Sequence, residues 1–122
     1  MYQPQMAERE KAQKPEDLDR LFLERANAGD LEGVVALYAP DAVLAFPTDQ
    51  LTFGQENIRR VYRELLAKNT KFQGEVREAI RNGDLAMTST LLSGNATVEV
   101  ARRQSDGSWL WFIDQPNVMG LS

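Results

Sequence analysis

Two spacings of apolar residues divide the chain. Up to residue 66 they recur at helical intervals; from residue 71 they alternate, and glycine turns cut the alternation into strand-length pieces. Pro15-Glu16-Asp17 opens a first helix, with proline in the first turn and acids near the positive end of the dipole. Leu18, Leu21, Phe22 and Ala26 then share one face. Gly29 ends this helix and Asp30 caps a second, which carries Val34, Val35, Leu37 and Tyr38 until Pro40 stops it. Asp41 to Phe46 alternates as a strand, Pro47-Thr48-Asp49 turns the chain, and Leu51 to Phe53 supplies a short partner. Ile58, Val61, Tyr62, Leu65 and Leu66 form the cleanest amphipathic stripe, a third helix.

Asn82-Gly83, Gly94-Asn95 and Asp106-Gly107 supply the positive φ angles of tight hairpins. They predict strands at about 71–81, 84–92, 96–104 and 108–115. Helices followed by strands give an α+β fold, with three N-terminal helices on one face of an antiparallel sheet. Residues 1–14 contain no apolar run, so they are read as neither signal peptide nor membrane anchor. They are expected to form a mobile arm, or one that docks on a partner subunit, beside a single domain at 15–122.

Turn chemistry also gives a register. Taking Asp106-Gly107 as a two-residue loop pairs Arg103 with Leu110, Ala101 with Phe112 and Glu99 with Asp114. Like charges directly opposite are unfavourable, so Glu99 and Asp114 mark a candidate site. The same count places Val98, Val100, Trp109, Trp111 and Ile113 on the face away from the helices. Such an apolar patch is a liability on a monomer, and a homodimer through this sheet face is the expectation. The alternatives are coverage by the N-terminal arm or stacking of Arg102 over Trp111. A three-residue loop at Ser93-Gly94-Asn95 turns Met87, Ser89 and Leu91 toward the helices; a two-residue loop turns Thr88, Thr90 and Leu92 there instead.

Composition narrows the chemistry. With no cysteine and no histidine, the chain has no thiol nucleophile, no thiolate metal site and neither the commonest neutral-pH base nor the commonest metal ligand. Chemistry falls to carboxylates, tyrosines, hydroxyls or lysines, and neither a metal nor a cofactor is expected. A net charge of −4 and a pI of about 4.8 argue against nucleic-acid and anionic-membrane binding. The chain is expected in the cytoplasm.

The runs Ala28-Gly29-Asp30-Leu31-Glu32, Leu37-Tyr38-Ala39-Pro40-Asp41-Ala42-Val43 and Gly54-Gln55-Glu56-Asn57-Ile58-Arg59 carry a resemblance, as do Gly83-Asp84-Leu85-Ala86 and Arg102-Arg103-Gln104-Ser105-Asp106-Gly107-Ser108-Trp109. Across about residues 16–115 the chain resembles the nuclear-transport-factor-2-like superfamily, in its SnoaL-like polyketide cyclase and ketosteroid-isomerase-homologue branch. The resemblance implies three helices on a curved antiparallel sheet enclosing a conical pocket, and commonly a dimer. The superfamily holds isomerases, cyclases, epoxide hydrolases, dehydratases and non-enzymatic carriers, so fold does not settle activity.

Ketosteroid isomerases carry a catalytic aspartate before a proline, a position held here by Phe46. Their first-helix tyrosine corresponds to Phe22, whereas Tyr38 and Tyr62 match supporting tyrosines and Glu99 matches a protonated acid. Ketosteroid isomerisation by that route is therefore excluded. The polyketide-cyclase-like relatives place an acid/base residue on the last strand, where Asp114 stands. The combined expectation is a pocket for a small apolar molecule with Asp114 and Glu99 as acid/base pair. Tyr38, Tyr62, Phe22, Phe46, Met87, Ser89, Leu91, Thr97, Ala101 and Phe112 are its expected walls. A cofactor-free isomerase, cyclase or lyase fits this, and a non-catalytic dimeric carrier with a self-filled pocket is the alternative.

Overall fold

The computed structural model describes residues 9–118, which form three helices and nine strands. Helix α1 (Asp17–Asn27) and the short α2 (Leu31–Val35) lead into strand β1 (Tyr38–Leu44). Strand β2 (Thr52–Phe53) and helix α3 (Gln55–Ala67) follow. Strands β3 (Glu75–Val76), β4 (Ile80–Asn82), β5 (Leu85–Thr88), β6 (Thr90–Leu92), β7 (Asn95–Ala96), β8 (Val98–Arg103) and β9 (Trp109–Gln115) come next. Six strands form one sheet in the order β2-β1-β9-β8-β5-β4, and β3-β6-β7 form a second. Among the described residues all pairings are antiparallel except that of β1 with β9. The architecture is α+β, as expected, with the helices over the inner face.

The three long strands expected at 71–81, 84–92 and 96–104 each break in two. Between the halves, Ser89 Oγ donates to the Thr97 carbonyl at 2.7 Å and the Thr90 amide donates to Thr97 Oγ1 at 2.9 Å. These side-chain bonds replace ladder bonds and let the outer three-stranded sheet turn against the main one.

Helix α2 is shorter than expected. Leu37 and Tyr38 lie beyond it, because the Leu37 carbonyl accepts from the Trp111 amide at 2.8 Å and Tyr38 pairs with Trp111. Pro40 therefore stands inside β1 rather than ending a helix.

Of the arm expected at 1–14, residues 1–8 lie outside the described residues, and residues 9–14 are docked on the domain. Ala12 is buried and its carbonyl accepts from the Trp109 amide at 3.0 Å. Arg9 pairs with Asp30 at 2.8 Å, Lys11 pairs with Asp106 at 2.8 Å, and the buried Arg25 donates to the Glu10 carbonyl. Arg25 also donates to the Gly33 carbonyl at 2.9 Å, while Asp30 caps α2 through the Gly33 amide at 3.0 Å. A Cβ at Gly33 would overlap the Asp30 carboxyl and come within 2.9 Å of Arg25 Cδ. Gly33→Ala is therefore expected to cost about 2 kcal/mol, the loss of a cap with its neighbouring hydrogen bonds. Urea unfolding checks this; an unchanged midpoint would mean that the cap and arginine contribute nothing.

Candidate functional site

The site is built from side-chain rows running across the inner face of the main sheet. Side chains of paired residues stand side by side, so pairing defines each row. One runs Thr88, Glu99, Asp114, Leu44; the next runs Ala86, Ala101, Trp111, Tyr38. Helices α1 and α3 close over them with Asp19, Phe22 and Tyr62. Between helices and sheet lies a cavity of about 210 Å³, whose mouth carries the exposed Gln73.

Each buried acid has its own environment. Tyr38 Oη donates to Asp114 Oδ2 at 2.5 Å, which leaves the Tyr38 oxygen to accept from Tyr62 Oη at 2.8 Å. Thr88 Oγ1 donates to Glu99 Oε1 at 2.5 Å and accepts from Trp111 Nε1 at 3.0 Å. The third acid, Asp19 on α1, is buried beside Glu99, within hydrogen-bonding reach of it, and its Oδ2 has no hydrogen-bond donor among the described residues.

Burial pushes the Asp114 carboxyl up to about 8; the charge of Glu99 adds to this and the Tyr38 hydrogen bond opposes it. Burial likewise raises Asp19 and Glu99, and each is raised further by another acid: Asp19 by the charge of Asp114, Glu99 by that of Asp19. Two carboxyl groups so close hydrogen-bond only when one is protonated, so Asp19 and Glu99 share a proton at neutral pH. Burial, and then the Asp114 charge, hold both Tyr38 and Tyr62 well above the ordinary tyrosine range, so both phenols stay protonated.

Of the residues expected here, Glu99 and Asp114 stand opposite each other and both line the cavity, as do Phe22, Phe46, Tyr62 and Thr97. Tyr38 sits behind the wall, bonded to Asp114. Ala101 faces inward but lies in the packed core between Ala86 and Trp111. Met87 and Leu91 point outward and are exposed, and Ser89 is occupied at the strand break. The reason is the loop: Leu92 pairs with Asn95, so Ser93-Gly94 is a two-residue turn, and Thr88, Thr90 and Leu92 face inward. Phe112 is displaced by a bulge and stacks under Arg102, whose guanidinium lies 4.4 Å from the ring centre.

The tryptophans correct the expected outer patch. Trp109 and Trp111 are 1% and 2% exposed and belong to the core, with Arg81 over Trp109 at 5.1 Å. Arg103 pairs with Trp109 rather than Leu110, because residues 105–107 form a three-residue loop closed by the Gln104–Ser108 bond. Asp19 is the site residue absent from the expected set, although a signal for it exists. It lies three residues before Phe22 and seven before Ala26, on the apolar stripe of α1.

Among the described residues the three acids are not arranged as a metal-holding group, and no helix is long and apolar enough to cross a membrane. The family model of the SnoaL-like domain matches residues 19–115. The chain belongs to the SnoaL-like domain family. Solved structures agree on the fold of this SnoaL-like domain. A candidate calcium/calmodulin-dependent protein kinase type II association domain from Thiobacillus denitrificans is 18% identical, with 88% of this chain and 96% of that chain covered at a TM-score of 0.71. A ketosteroid isomerase-like protein from Erwinia carotovora atroseptica is 20% identical, with coverage of 81% and 88% and a TM-score of 0.68. An NTF-2 like protein from Shewanella oneidensis is 15% identical, with coverage of 80% and 91% and a TM-score of 0.65. They share the fold of the SnoaL-like domain. At such identities the likeness speaks for fold alone. No curated protein matches the chain significantly.

Proposed function

We propose that the SnoaL-like domain binds a small, largely apolar molecule in its cavity and moves a proton on it without a cofactor. The observation that carries this reading is the set of three buried carboxyl groups on the wall of an otherwise apolar, open cavity. Sharing protons among three acids keeps a protonated donor next to an ionised acceptor at neutral pH. Asp114, oriented by the Tyr62–Tyr38 relay and raised to about 8, acts as the base through its ionised fraction; Glu99, oriented by Thr88 and paired with Asp19, is the acid that polarises a substrate oxygen. Enolisation, with an isomerisation, cyclisation or elimination built on it, needs these two roles. A cavity of about 210 Å³ favours this over a self-filled pocket.

The test does not require the natural substrate. Cyclic and aromatic ketones are incubated with the protein in heavy water, and loss of their α-protons is followed by proton NMR. Exchange above the buffer rate is expected for at least one ketone that also raises the melting temperature. Asp114→Asn should slow it by about 10²- to 10⁴-fold, the usual worth of a positioned base. Ketones that bind but never exchange would leave a carrier in place of an enzyme.

We also propose a homodimer through the outer sheet face. Strand pairing sets Phe53, Val43, Ile113, Val100, Met87 and Ile80 in one row across all six strands of the main sheet. Ile80 is 72% exposed and Phe53 60%. An apolar row of that length favours burial against a second copy.

A further inference from the structure

We infer that the cavity takes a cation, a single-ring molecule carrying a protonated amine, with Asp19 as the anchor that receives its N–H. This rests on the reading of the cavity as a ligand site but not on turnover.

The wall carries acids without a counter-charge. Its charged side chains are Asp19 from α1, Glu99 from β8 and Asp114 from β9, and among the described residues neither arginine nor lysine lines it. The other titratable groups facing these acids are the phenols of Tyr38 from β1 and Tyr62 from α3. An anionic ligand would meet acids alone. A neutral apolar ligand would fill the space yet leave Asp19 Oδ2 with no donor among the described residues beyond the proton that Asp19 shares with Glu99, an arrangement that costs free energy in an apolar site. An ammonium group supplies both the missing donor and the missing charge.

The aromatic wall points the same way. Phe22 lies at the centre of a ring cluster, 5.2 Å from Phe72, 5.7 Å from Tyr62 and 6.0 Å from Trp111. All four rings border the cavity that Asp19 lines. Ring faces attract cations while accommodating an apolar body. Size sets the upper limit: a cavity of about 150 Å³ holds benzene, so about 210 Å³ accommodates one ring with a short aminoalkyl arm.

Binding of a cation changes the proton count. Three acids in one apolar space cannot all ionise, and a positive charge among them permits one more to do so. The proton leaves to solvent, and amine affinity rises with pH until the amine itself loses its proton. A cationic substrate would thereby help to convert Asp114 to its basic form.

The experiment is isothermal titration calorimetry of the protein with benzylamine, benzyl alcohol and benzoate, with benzylamine repeated in phosphate and in Tris. Benzylamine is expected to bind at least about tenfold more tightly than benzyl alcohol, and benzoate more weakly than either. Its heat should differ between the buffers by the release of about half to one proton. Asp19→Asn should cut the advantage of benzylamine over benzyl alcohol from about tenfold to about twofold or less. Benzyl alcohol binding as tightly as benzylamine, or no buffer dependence, would overturn the cation assignment and leave the ligand site standing. No binding by any of the three would overturn the ligand site as well.

Discussion

Raising the pH from 5 to 9 should lower the melting temperature by about 15–20 °C, and Glu99→Gln should remove a large part of that slope. The sign follows from proton counting. Asp19, Glu99 and Asp114 all titrate higher in the folded chain than in the unfolded one, chiefly because burial disfavours their charge. Between the two sets of values the folded state holds more protons, so stability is full below about pH 4 and declines as pH rises toward the folded-state values. One pKa unit is about 1.4 kcal/mol, so the three acids together are expected to cost on the order of 5 kcal/mol over this range. Asp30 and Glu32 act oppositely. Hydrogen bonds from Arg9 and Arg59 hold them below the ordinary range, and their contribution is lost only in more acidic solution. The stability maximum therefore falls near pH 4–5 instead of at neutrality. In Glu99→Gln the amide still accepts from Thr88 and can donate to Asp19, so the variant should be more stable than the parent at pH 9. A melting temperature flat from pH 5 to 9 would sink the account of the buried acids. A steep slope unaltered by Glu99→Gln would remove Glu99 from it.

The opposition of Glu99 and Asp114 is legible in the sequence for a reason that counting alone does not reveal. The hairpin at residues 105–107 is one residue longer than a two-residue turn, which shifts the pairing at Arg103 and Ala101 by one. A bulge between Val100 and Ala101 then shifts it back, so that Val100 meets Ile113 and Glu99 meets Asp114. Two displacements cancel at the acids but not between them. In that interval Trp109 and Trp111 turn into the core, and Phe112 goes to the outer face. A bulge leaves no fixed mark in composition, so turn residues cannot show the exchange of Phe112 for Trp111. The Ser93-Gly94 turn is ambiguous for a simpler reason: Gly94 suits either loop length, and one residue decides which face Met87 or Thr88 presents. Helix phase carries information about the site as well as the core. An aspartate within an apolar stripe is the pattern of a buried functional acid, and at Asp19 it is masked by Glu16 and Asp17, which read as a charged helix start.

The reassignment of the tryptophans yields the second large effect, a contrast between two substitutions. Trp109 is almost wholly buried, hydrogen-bonded through its amide to Ala12 and stacked under Arg81. Trp109→Ala should therefore cost about 3–5 kcal/mol, the range for removing a large aromatic side chain from a core. Its urea midpoint should fall accordingly, and its tertiary circular dichroism should weaken if the loss approaches the whole stability. Ile113 is different: 44% exposed at the centre of the outer apolar row, between Val43 and Val100. Ile113→Lys removes little core packing but places a charge where two copies would meet. The expected result is a folded protein with parental far-ultraviolet circular dichroism that sediments as a monomer. The reverse pattern, a well-folded monomer from Trp109→Ala with an Ile113→Lys variant that still dimerises, would return the tryptophans to the interface and take the proposed dimer away from the apolar row. Because the two residues lie on opposite faces of the same strand, one pair of sedimentation runs at matched concentration separates core from contact.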